Sequence, residues 1–103
     1  MTTPDQALKI QEELFAKALE IVKKKRVDYS GTEDAFGNFR KSEFWGVNPW
    51  RGAAIRLMDK LSRFNQLAST GGQQVLDESI EDTIIDAINY CVIMYSLYLE
   101  GKE

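Results

Sequence analysis

A chain of 103 residues with 44% apolar residues, 28% charged residues and a formal net charge of −3 has the composition of one soluble globular domain. The acidic balance excludes a general binder of long nucleic acid, which needs a basic surplus, and no apolar run is long enough to span a bilayer. There is no histidine, so imidazole bases, Ser-His or Cys-His nucleophile systems and imidazole metal ligands are all excluded.

The first element starts at Thr3-Pro4-Asp5-Gln6, where Thr3 suits an N-cap, Pro4 the first helical position and Gln6 the far side of a capping box. Ala7, Ile10, Leu14, Ala18 and Ile21 then mark an apolar stripe. The basic run Lys23–Arg26 suits the negative end of the helix dipole, so the helix is expected to end there. The opening MTTPDQALKI has no apolar core behind a basic start, so a cytoplasmic location is expected.

From Val27 to Trp50 the chain turns loop-rich, with Gly31, Gly37, Gly46 and Pro49, one short helix expected around 33–40, and a concentration of aromatics. Asn48-Pro49 reads as the cap and first turn of a second long helix. It is expected to reach about Ala68, with Ala54, Leu57, Met58, Leu61 and Phe64 inward, and Gly71-Gly72 breaks it. A third long helix opens near 77–79 and runs to about Glu100. No stretch alternates as a strand does. The expected fold is one all-α domain, three long helices with an aromatic-rich insert, assembled as a homo-oligomer because a chain this short buries a modest core.

In the third helix Glu78, Asp82, Asp86 and Asn89 recur at helical spacing along one side, with Ile80, Ile84, Ala87, Ile88 and Cys91 on the other. Cys91 is the single cysteine, which makes an intrachain disulfide impossible, and its apolar neighbours predict a buried, inert thiol. Tyr90, Tyr95, Tyr98 and Leu99 serve equally well as core or as an oligomer interface. In the second helix Arg56, Asp59, Lys60 and Arg63 share a face, three cations beside one carboxylate.

Two readings of these opposite rows stay open. Arg56, Lys60 and Arg63 can hold phosphates, or they can simply pair with Glu78, Glu81, Asp82 and Asp86. The acids can hold magnesium, or they can form a solvated helix face. In the insert, Tyr29 and Trp45 beside polar turn residues, and Asn38 and Arg40 in AFGNFR, suit a ligand, since aromatics beside cations combine base stacking with phosphate binding. The remaining aromatics suit the core.

The blocks KKxxDYSG, AFGNFR, RLMDKLSRF and DESIEDTIIDAINY together resemble the first type of nucleotide modification associated domain, small proteins frequently encoded by bacteriophages. The resemblance runs from about Phe15 to Tyr98 and implies nucleotide-linked work without fixing a reaction. A looser resemblance is to the all-α nucleoside triphosphate pyrophosphohydrolases of the MazG and dCTPase group, whose sites join an ExxE helix to an ExxD helix around magnesium. That likeness makes Glu78, Glu81, Asp82 and Asp86 the second half of a metal site. The first half is absent, because Arg56, Asp59, Lys60 and Arg63 stand where glutamates belong, and the spacing of Glu12, Glu13 and Glu20 does not replace it.

Two functions are therefore expected. One is a binder without cofactor that sequesters a phosphorylated nucleotide signal of host antiviral defence, such as a cyclic oligonucleotide or a cyclic ADP-ribose derivative. Arg56, Lys60 and Arg63 would take phosphates, Tyr29 or Trp45 would stack on a base, and Asp82, Asp86 and Asn89 would bond ribose hydroxyls or a base edge. The alternative is a magnesium-dependent pyrophosphohydrolase or modification enzyme with metal at Glu78, Glu81, Asp82 and Asp86.

Overall fold

Two local motifs fix where helices begin. The Thr3 hydroxyl accepts the Gln6 N–H at 3.2 Å while the Gln6 side-chain carbonyl accepts the Thr3 N–H at 2.9 Å, a complete capping box. Asn48, in extended conformation, accepts the Trp50 N–H at 3.2 Å with Pro49 next in line. The computed structural model describes residues 1–28, 34–70 and 74–101, of which 26–28 and 74–78 as backbone only. In chain order the elements are α1 (Pro4–Asp28), α2 (Gly37–Arg40), a 3-10 turn (Lys41–Trp45), α3 (Pro49–Ser69) and α4 (Gln74–Glu100). The fold is all-α, with no strand among the described residues. No described helix is long and apolar enough to cross a membrane.

Helices α3 and α4 form the principal contact and run antiparallel, since Trp50 meets Tyr98 near one end and Lys60 meets Asp86 further along. Small residues make this approach possible. Ala53 on α3 is 0% exposed, and Thr83 and Ala87 on α4 are buried. The Thr83 hydroxyl donates to the Ser79 carbonyl at 2.7 Å, so its burial leaves no polar atom unsatisfied. Helix α1 packs on α4 alone among the described helices. On α4 this contact uses Glu81 and Asn89, with Ile85 between them on the same side of the helix. Lys17 pairs with Glu81 at 2.6 Å, Ile85 is buried, and the Asn89 amide donates to the Ala18 carbonyl at 3.2 Å.

Several sequence expectations need correction. In α3 the inward stripe is centred on Ala53, with Leu57, Lys60, Phe64 and Leu67 half-buried, while Met58 and Leu61 are exposed. The stripe is rotated because alanine, not the bulky residues, occupies the tightest point. Cys91 is exposed rather than buried: α4 turns Thr83, Ala87 and Leu97 inward, which leaves Cys91 on an outer face with Val92 and Tyr95. In α1, Ala18 is buried and Leu14 and Ile21 are half-buried as expected, but Ala7 and Ile10 are exposed, because the crossing with α4 is confined to the helix middle. Helix α4 starts at Gln74, ahead of the expected 77–79, and the short insert helix occupies only Gly37–Arg40 before tightening into the 3-10 turn.

If Ala53 sets the α3–α4 distance, Ala53→Leu should destabilise the protein by about 1–3 kcal/mol through overpacking. Thermal unfolding at fixed protein concentration should show a midpoint lowered by several degrees. An unchanged midpoint would mean the two helices are not held at alanine distance.

Candidate functional site

The insert is held by a polar clamp that starts at Asp34. One oxygen of its carboxylate accepts the Phe36 N–H at 3.0 Å, and the other accepts Arg40 Nε at 2.5 Å. The other arm of the Arg40 guanidinium donates to Glu100 at 2.9 Å, which fastens the insert to the end of α4. Arg40 holds the Asp34 carboxyl below its ordinary value, with the Phe36 N–H acting in the same direction, and is itself raised by its two carboxylate partners. Phe39 meets the ring of Tyr90 edge-on at 6.0 Å. The Ser42 hydroxyl lies between the carbonyls of Phe39 and Val47, at 3.0 and 2.9 Å, and closes the loop. Gly46, at φ 74°, ends the 3-10 turn in the left-handed region.

This clamp sets the insert beside the first turns of α3. At Gly52 a Cβ would stand 3.1 Å from Ser42 Cβ, so the glycine permits the close approach. Between the two segments runs an open groove of about 500 Å³. The insert contributes Asn38, Phe39, Lys41 and Trp45, and α3 contributes Ile55, Arg56 and Asp59. The Arg56 guanidinium lies 5.4 Å from the centre of the Phe39 ring. The Trp45 side chain is 80% exposed and meets Phe44 edge-on at 5.4 Å. Two cations, one carboxylate, an amide and an open indole thus line one concavity of nucleotide size.

The predicted site residues divide into groups. Asn38, Trp45 and Arg56 line the groove. Arg40 belongs to the clamp. Lys60 pairs with Asp86 at 3.1 Å, and Asn89 is engaged with the backbone of α1. Arg63 and Asp82 are exposed on α3 and α4, away from the groove lining. Tyr29 lies outside the described residues, and only the backbone of Glu78 is described. Among the described residues no group of three or more acids or cysteines is placed to hold a metal ion, and Glu81 is drawn to Lys17. Sequence reasoning missed Lys41 and Ile55 and assigned Phe39 to the core. The usable signal was adjacency, because AFGNFR runs directly into KSEFWG and both segments end on one side of α3.

Residues 47–96 match the family model of nucleotide modification associated domain 1. The match takes in α3, most of α4, and the blocks RLMDKLSRF and DESIEDTIIDAINY. On the groove it includes the α3 wall with Arg56 and Asp59, while Asn38, Lys41 and Trp45 precede it. No curated protein and no solved structure matches the chain.

The clamp makes a prediction about acid. A carboxyl whose folded value is depressed contributes stability above its unfolded value, and that contribution is lost as pH falls through the folded value. Carboxylate NMR should therefore place the Asp34 midpoint below the ordinary 3.8. In Arg40→Gln it should return toward 3.8, and the groove signals of Trp45 should shift with it. An Asp34 midpoint unaffected by that substitution would refute the clamp.

Proposed function

We propose that this protein binds a phosphorylated nucleotide in the groove between the 3-10 turn and α3, and holds it without turnover. The observation that carries this reading is the open Trp45 indole in one concavity with Arg56 and Lys41. A nucleotide needs a π-face for its base and cations for its phosphates, and the groove offers both. Trp45 stacks on the base. Arg56 and Lys41 take phosphate oxygens, the former as a planar fork and the latter as a point charge. Asn38 and Asp59 read base-edge or ribose hydroxyl groups, for which an amide and a carboxylate provide both donor and acceptor capacity.

The family match supports nucleotide-linked work, since its descriptor concerns nucleotide modification. Binding is favoured over metal-dependent hydrolysis by the fate of the described acids on α4. Glu81 and Asp86 each face a lysine, Lys17 and Lys60, so their charge is answered within the chain. The finer proposal is that the ligand is a signal of antiviral defence, of cyclic oligonucleotide or cyclic ADP-ribose type, and that a bacteriophage-encoded protein sequesters it in the host cytoplasm. The small size of the chain and the pairing of a stacking face with cations support it.

Titration with a panel of linear and cyclic nucleotides, followed by Trp45 fluorescence and calorimetry, tests the reading. One class of ligand should bind, and denaturing the complex should release it intact by mass spectrometry. Trp45→Ala should weaken that binding roughly 5- to 150-fold, the equivalent of about 1–3 kcal/mol of base stacking. Arg56→Gln should weaken ligands in proportion to their phosphate charge. Recovery of cleaved nucleotide, or affinity indifferent to both substitutions, would reject it.

A further inference from the structure

The protomer is only half enclosed. A folded monomer of 11.8 kDa exposes about 5,900 Å², whereas this chain exposes 8310 Å², an excess of roughly 2,400 Å². Its radius of gyration is 15.8 Å, against about 13 Å for a compact chain of this length. No large side chain among the described residues is fully buried.

The uncovered apolar surface is organised. On α1, Leu8, Phe15, Leu19 and Val22 recur at steps of seven, four and three, forming a second stripe beside the one that meets α4. On α4, Val92, Tyr95 and Leu99 form another, with Cys91 beside them. These large side chains are between 44% and 60% exposed. Helix α1, 25 residues long, is supported in the chain by its crossing with α4 alone. Most of a helix's stability in a protein comes from packing its apolar face, and this stripe of α1 has nothing packed on it among the described residues.

We infer that a second copy of this chain covers both stripes, in a two-fold dimer built on the outer faces of α1 and α4. Three observations favour a copy over a foreign partner. The excess area is well above the roughly 800 Å² that each side of a standard interface buries, and it suits an obligate homodimer. The stripes are self-complementary, apolar against apolar, as a two-fold contact requires. Antiparallel pairing of α1 with α1 about a point between Phe15 and Leu19 sets Phe15 against Leu19 of the partner subunit. None of the groove residues lies on either stripe, so each protomer keeps its groove open.

The experiment needs no nucleotide, so its failure is separate from failure of the ligand reading. Light scattering and sedimentation of the wild-type protein should give twice the 11.8 kDa protomer mass. Cys91 in that assembly should react with a thiol reagent at least tenfold more slowly than in denatured protein. Phe15→Glu and Tyr95→Glu should each shift the mass toward the protomer and raise the Cys91 rate, while Trp45→Glu should leave both unchanged. A wild-type mass of one protomer across concentrations, or a freely reactive Cys91 in a dimer, would overturn the inference without recourse to any variant.

Discussion

The close antiparallel contact of α3 with α4 is the constraint on which the other features rest. Small residues are buried at separate points along it, Ala53 on α3 near the Trp50–Tyr98 end and Thr83 and Ala87 on α4 further along. Small residues bring backbones together but bury little apolar area, and hydrophobic stabilisation scales with that area. The chain thus gains a well-defined helix pair at the expense of core volume. Much of its larger apolar inventory, Phe15, Leu19, Met58, Leu61 and Tyr95 among it, is left facing outward.

The groove is a consequence of the same contact. Because α3 and α4 are in fixed register, Glu100 at the end of α4 stands where Arg40 can reach it, and Tyr90 stands where Phe39 can rest against it. The insert is thereby tied at two points to α4 while its outer side faces α3. Ser42 and Gly52 set the distance on that side. Trp45 is left at the rim, with no element of the described chain packed over its indole. An aromatic held open by a clamped turn is a prepared surface, whose ordering cost is met on folding rather than on binding.

Helix existence and capping were legible in the sequence because they depend on local chemistry. Thr3-Pro4 with Gln6, and Asn48-Pro49, satisfy helix-end groups within a few residues. Helix orientation was less legible, because it depends on which residue lies at the tightest contact. Periodicity weights Met58 and Leu61 heavily and Ala53 lightly, yet packing selects Ala53. Cys91 was misplaced for the same reason. Of the groove lining, Trp45 and Asn38 were named from their place in the insert and Arg56 from its helical spacing with Asp59, Lys60 and Arg63. Lys41 and Ile55 were not, since the adjacency of AFGNFR and KSEFWG points to Lys41 only once the turn is seen to fold back over the first turns of α3.

The two rows of opposite charge acquire their meaning from which members pair. Lys60 with Asp86 and Lys17 with Glu81 are partly exposed contacts between helices, each worth little stability but able to fix register. Their pairing sets Glu81 and Asp86 each against a lysine. It also leaves the cationic surplus where no described acid is bonded to it. Lys41 and Arg56 form no ion pair among the described residues, and Arg56 is steadied by the Phe39 ring instead. A ring neutralises no charge, so the guanidinium keeps its full attraction for an anion while losing rotamer freedom in advance. Net charge −3 is a property of the whole chain, and the local balance at the groove is two cations, Lys41 and Arg56, beside one carboxylate, Asp59.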